Sequence, residues 1–131
     1  MVRFLVLSLT VLLTALAAPA FAQAASINVN GKLANGAYVQ AVCSVGADGT
    51  ISGTGVLFGT NPSNGYKYSY AFVIKSGSTA SGKLVLSGNF AFAGGYPVTL
   101  SASIPNGPLT FTYIVNGSSY TTNGVGIVSV K

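Results

Sequence analysis

Side chains able to perform acid–base or nucleophilic chemistry are scarce in this sequence. It contains no histidine, and Asp48 is its single carboxylate side chain. General acid–base catalysis needs a positioned histidine or paired carboxylates, and a Ser-His-Asp or Cys-His site needs an imidazole. A serine with a lysine base is conceivable, but Ser81-Gly82-Lys83 lacks the Ser-x-x-Lys spacing. We therefore predict no catalytic residues and a protein that is not an enzyme.

Metal and cofactor sites are also not predicted. Zinc requires several His or Cys ligands and calcium several oxygens, whereas Asp48 precedes Gly49 as in a tight turn. The glycines between Gly53 and Gly59 fall short of the dinucleotide fingerprint, and no helix pattern follows, so they indicate bulges or close strand packing. Cys43 is the only cysteine, which excludes an intramolecular disulfide. We expect it to be a small buried hydrophobe rather than an intermolecular bridge or a reactive thiol.

The most informative cluster is a run of alternating aromatic residues. Five residues would share one face of a strand: Tyr66, Tyr68, Tyr70, Phe72 and Ile74. Exposed tyrosines could form a platform for sugar rings or an adhesive surface, which makes Tyr66, Tyr68 and Tyr70 a candidate binding surface. The competing interpretation, which we favour, is that this face points into the core, because Lys67 and Lys75 mark the opposite face as the outer one.

The elements that position these residues have a period of two. Apolar and polar residues alternate over 27–33, 98–104 and 109–115, which is typical of strands with one dry and one wet face. Five further candidate strands cover residues 38–45, 50–58, 66–75, 83–92 and 119–130.

Tight turns separate the candidate strands. Asn-Gly or Asp-Gly pairs, which accept the positive φ of hairpin turns, begin at seven places: Asn30, Asn35, Asp48, Asn64, Asn106, Asn116 and Asn123. Asn30-Gly31 fits a bulge within a strand equally well. We predict a sharp turn at residues 105–108 and a mobile loop at residues 77–82. We predict an all-β domain, a single antiparallel sandwich or meander barrel of about eight short strands.

The amino terminus predicts export. Arg3 precedes an apolar run from Phe4 to Leu16, which is too short to span a bilayer, and small residues follow in an A-x-A pattern. The pattern occurs as Ala20-Phe21-Ala22 and again as Ala22-Gln23-Ala24, and we predict cleavage after Ala22, before Gln23. Residues 1–22 are then a cleaved secretory signal peptide and residues 23–131 form the all-β domain. The alternative is an uncleaved amino-terminal anchor.

Charge and composition limit the partners of that domain. Five scattered lysines and Asp48 remain after cleavage, and a nucleic-acid surface needs clustered basic residues. We expect no nucleic-acid partner and no membrane-spanning segment in the mature domain. A surface of Ser, Thr, Asn and Gly suits contact with a second copy, a neutral polysaccharide or a protein surface.

The composition favours a non-catalytic interaction or structural protein of the periplasm, cell envelope or extracellular space, adhesive or self-associating. Two alternatives stay open. An outer-membrane β-barrel shares the leader and the alternating strands, but its outside must be apolar all round. A carrier would enclose a small apolar ligand within its sheet. Extraction behaviour and copurified small molecules distinguish the three.

Overall fold

A computed structural model describes residues 25–131 of the chain. The predicted signal peptide, with its cleavage residues Ala20, Ala22 and Gln23, lies outside these residues. Within the described range, no helix has the length and apolar character needed to cross a membrane.

Eight strands account for most of the described chain. In chain order they are β1 (Ala25–Leu33), β2 (Tyr38–Val45), β3 (Ile51–Thr60), β4 (Lys67–Ala80), β5 (Lys83–Phe90), β6 (Pro97–Ser103), β7 (Asn106–Val115) and β8 (Ser118–Val130). Each strand pairs antiparallel with the next, and β8 pairs back onto β1, with Val128 opposite Val29. The sheet is therefore a closed meander barrel without a free edge.

Alternation along each strand sends one set of side chains into the barrel. On β2, Val39, Ala41 and Cys43 are buried, whereas Gln40 and Val42 between them are exposed. The fully buried side chains of the described chain are all apolar. The barrel interior is thus the hydrophobic core.

Large and small inward residues complement each other within this core. Its bulkiest members come from β4 to β7: Phe72, Ile74, Leu84, Leu86, Phe90, Leu100, Leu109 and Phe111. The adjoining strands β8 and β1 contribute glycines, and a Cβ at Gly31 or Gly126 would lie 2.6 Å from Cδ1 of Leu109. The Leu109 side chain therefore occupies space that the glycines of the adjoining strands leave free.

The barrel has two different ends. The four connections 34–37, 61–66, 91–96 and 116–117 lie together at one end, which we call the mouth. The connections 46–50, 81–82 and 104–105 lie at the other end with the two chain termini of the described domain, and we call it the closed end.

The predicted all-β antiparallel fold is confirmed, and of the two architectures considered the chain adopts the barrel. Cys43 is buried as expected, with 1% of its surface exposed, and burial raises the pKa of its thiol. The Asp48 turn is also confirmed, because the Asp48 carboxylate accepts a hydrogen bond from the Thr50 N–H at 3.0 Å, which lowers the pKa of Asp48.

Four turn and loop predictions were wrong in detail. The Asn30-Gly31 pair is neither a turn nor a bulge, because it lies inside β1 in regular register with β2 and β8. Residues 77–80 are not a mobile loop but the end of β4, and only Ser81 and Gly82 form the turn. The Asn123-Gly124 pair lies inside β8, and Asn106-Gly107 begins β7. In each case pairing with neighbouring strands supplies backbone hydrogen bonds that a turn would forfeit, so tertiary pairing overrides the local preference.

Candidate functional site

The mouth contains a cavity of about 480 Å³. Its walls are mainly aromatic, with seven rings from β4, β5, β7 and the 91–96 connection: Tyr68, Tyr70, Phe90, Phe92, Tyr96, Phe111 and Tyr113. Leu33, Leu57 and Val115 add aliphatic surface, and no lining residue carries a charge. A cavity of this size and lining at the open end of a barrel is typical of a small-molecule site.

Strand β4 shows how the sequence places these rings. Inward alternation buries Phe72 in the core and brings Tyr70 and Tyr68 to the cavity wall. Of the candidate binding surface, Tyr68 and Tyr70 therefore lie at one site. Tyr66 precedes β4, is 74% exposed and does not line the cavity. The core interpretation holds for Phe72 and Ile74, which are buried, whereas Tyr68 and Tyr70, nearer the mouth on the same face, line the cavity.

The rings contact one another in a continuous cluster. Tyr68 and Tyr70 stack with centroids 5.5 Å apart, and Phe90 and Phe92 stack at 4.8 Å. Tyr70 joins the two pairs, because its ring lies 5.6 Å from that of Phe92. Tyr113 meets Phe90 edge-on at 5.6 Å. Such contacts stabilise ring positions by about 0.5–1.5 kcal/mol per pair, so the wall is largely pre-formed.

Small residues on β3 and the first mouth connection make room for this wall. Gly59 is the register partner of Tyr68, and a Cβ at Gly59 would lie 2.7 Å from Tyr68 Oη and 3.3 Å from the Cα of Ala37. The Tyr68 ring therefore lies across Gly59 toward Ala37. Glycine at this position lets the tyrosine lie flat along the rim.

Few polar groups enter the cavity lining. Besides the tyrosine hydroxyls, they belong to Asn35 and Asn61 in the mouth connections and to Thr122, which faces inward from β8. The Asn35 side-chain oxygen accepts a hydrogen bond from Ala37 N–H at 3.0 Å, and that of Asn61 accepts one from Ser63 N–H at 2.9 Å. Both asparagines are thereby held in fixed orientations at the rim.

The residues that line the cavity are uncharged, and Lys32 and Lys67, at the mouth ends of β1 and β4, lie outside this lining. Desolvation, followed by the proximity of Tyr120, Tyr68 and Tyr70, raises the pKa of Tyr113 above its ordinary value. Tyr113 therefore keeps its proton at physiological pH. The four mouth connections contain no charged residue. Asp48 belongs to the opposite end.

Sequence reasoning missed the aromatic residues outside β4. Phe90 and Tyr113 belong to strands that were predicted individually, and in a meander the end of β5, the end of β7 and the start of β4 meet at one end. Phe92 closes the predicted strand 83–92 but lies in the 91–96 connection. Strand order combined with alternation could have brought these rings together. Tyr96 has no such signal, since it lies in a connection.

Within residues 25–131, no three His, Cys, Asp or Glu side chains lie close enough to hold a metal ion together. Comparisons with protein-family models, with curated proteins and with solved structures find no match for this chain.

Proposed function

We propose that this protein is an exported, non-catalytic binding protein whose mouth takes up a small, uncharged, apolar ligand. The observation that carries the proposal is the aromatic cavity of about 480 Å³ without a charged lining residue. Export rests on the sequence of residues 1–22. The non-catalytic assignment rests on the lack of histidine and the single carboxylate side chain.

The ligand chemistry follows from the lining. An isolated charge loses its hydration on entering an apolar site and finds no ionic partner among the residues around this cavity. A flat apolar molecule instead displaces water from aromatic faces and stacks on them. The rings of Tyr70, Phe90 and Phe92 offer such faces at the open end of the barrel.

The distribution of side chains favours ligand binding over an outer-membrane barrel. Membrane barrels have an apolar outside and a polar interior. Here the buried side chains of the described domain are apolar. The outward surface exposes Val125 and Ile127 of β8, but the outward positions of β6 and β7 include Thr99, Ser101, Thr110 and Thr112, so this surface is not apolar all round. A lipid-facing surface would leave these hydroxyls in hydrocarbon, which is costly.

A neutral fluorescent probe tests the proposal directly. The protein is purified from the producing cells in whichever form accumulates there. We expect N-phenyl-1-naphthylamine to bind it with a fluorescence increase that saturates at about one probe per chain. Tyr70→Ala should weaken binding about two- to tenfold, because it removes one stacking face. Tyr66→Ala is the matched control: it deletes the same side chain two residues away, outside the cavity, and should leave the affinity unchanged. Equal effects of the two substitutions, or no saturable binding, would contradict the proposal.

A further inference from the structure

We infer that the mouth selects, among neutral flat ligands, those that carry a hydrogen-bond acceptor such as a carbonyl oxygen at the end left at the rim. This inference rests on the proposed function and names the ligand class. The basis is the orientation of the two asparagine side chains at the rim, which decides whether oxygen or NH2 groups are more available to a ligand.

The two rim asparagines are oriented by their own backbone. Asn35 Oδ1 accepts the Ala37 N–H and Asn61 Oδ1 accepts the Ser63 N–H. An NH2 group cannot accept a hydrogen bond, so these bonds fix which end of each carboxamide is oxygen. At each asparagine the NH2 offers two donors, whereas the oxygen has already used one of its two lone pairs on the backbone N–H, so the two side chains together offer a ligand more donors than acceptors. Both residues line the cavity.

The other lining groups do not change this preference. Thr122 carries a hydroxyl that donates or accepts, and the tyrosine hydroxyls have the same dual character. The remaining side chains are apolar. Two donor-only groups at the rim thus make the polar edge of the site complementary to an acceptor. The lack of a cationic lining residue favours a neutral acceptor over a carboxylate.

Four probes that share a naphthalene body test the apolar contact, the acceptor and the charge separately. Naphthalene supplies the apolar body alone, 2-acetylnaphthalene adds a carbonyl, 2-isopropenylnaphthalene replaces that carbonyl oxygen by CH2, and 2-naphthoate adds a charge. We expect 2-acetylnaphthalene to bind about two- to tenfold more tightly than 2-isopropenylnaphthalene, the range set by one added hydrogen bond. We expect 2-naphthoate to bind more weakly than 2-acetylnaphthalene.

Aspartate substitutions test the donors without removing the turns. In Asn35→Asp and Asn61→Asp a carboxylate oxygen still accepts the backbone N–H, while the NH2 donor is replaced by an acceptor. Asn64→Asp is the control. Asn64 Oδ1 accepts the Tyr66 N–H at 2.9 Å in the same connection as Asn61, and Asn64 does not line the cavity. Circular dichroism and the urea midpoint confirm that each variant is folded.

We expect the preference for the acetyl probe to disappear in the double variant Asn35→Asp/Asn61→Asp and to persist in Asn64→Asp. Equal affinity of the unsubstituted protein for the acetyl and isopropenyl probes overturns this inference while leaving the proposed function intact. So does an unchanged preference in the double variant, or tightest binding of 2-naphthoate. Failure of all four probes to bind overturns both.

Discussion

The two halves of the barrel interior are built from the same strands but are filled differently. Below the mouth, Leu84 near the closed end and Leu86 and Leu100 at mid-height have at most 1% of their surface exposed. Toward the mouth, Tyr70 is 44% exposed and Phe92 41%, and the rings border a cavity. The closed half therefore contributes mainly to stability, and the mouth gives up part of that burial to leave an accessible apolar surface.

Strands β3 and β4 show where the difference arises. Phe72 pairs with Gly55 in the closed interior, and Tyr68 pairs with Gly59 at the mouth. Both aromatic rings occupy the space beside a glycine. Phe72 is enclosed by further rings, such as that of Phe111 at 5.5 Å, whereas Tyr68 borders the cavity. Alternation decides that a side chain points inward, and its height along the barrel decides whether it is enclosed.

The largest contrast should come from truncating one residue in each half. We expect Leu100→Ala to lower the free energy of unfolding by about 2–5 kcal/mol, because it leaves a cavity in a closely packed region. Tyr70→Ala should cost less, about 1 kcal/mol, because its side chain is already partly in water. Urea denaturation measures both. Similar losses would contradict the division into a packed half and an open half.

A finer comparison uses two of the inward glycines of β3, Gly55 and Gly59. Gly55→Ala should destabilise the fold by about 1–3 kcal/mol, because the new methyl group overlaps the Phe72 ring and would lie 2.8 Å from the Gln40 carbonyl oxygen. Gly59→Ala meets the outer end of Tyr68, which can rotate into the mouth, so we expect a change within about 1 kcal/mol. The Gly59 variant should instead alter probe affinity. The reverse order in urea denaturation would show that the mouth is the more rigid half.

The smallest effect concerns pH. Burial raises the pKa of Tyr113 in the folded state, so the folded protein holds this proton more tightly than the unfolded chain. The resulting stabilisation is fully present below the ordinary tyrosine pKa of about 10 and is lost as pH rises through the raised value. Tyr113→Phe should therefore show a smaller loss of stability than the unsubstituted protein in alkaline urea titrations. Identical alkaline profiles would mean that Tyr113 is as solvated as a free phenol.

Much of the fold could be predicted from the sequence because period-two alternation is a local signal. It located all eight strands and the inward face of β4 that carries Phe72. The end of β4 was missed because residues 77–80 are small and polar, and only their pairing with β5 makes them a strand. The choice between sandwich and barrel depends on the pairing of β8 with β1, which no local pattern encodes.

The candidate site was predicted only in part. Tyr68 and Tyr70 were singled out because they are consecutive on one strand face. Phe92 and Tyr96 lie in or beside an irregular connection, where alternation gives no direction. The donor character of Asn61 depends on a hydrogen bond to Ser63 that sequence alone suggests only as a turn preference. Sites assembled from several strand ends thus emerge only when the strand order is known.

The central claim is that the mouth, and not the closed end, takes up a neutral apolar molecule. Titration of the isotopically labelled protein with 2-acetylnaphthalene, followed by amide chemical shifts, tests it most directly. We predict saturable shifts at Tyr70, Phe92 and Tyr113, with the amides of Leu84 and Ala102, near the closed end, unmoved. Shifts centred on the closed end or on the outer face, or no saturable shift at all, would contradict the account.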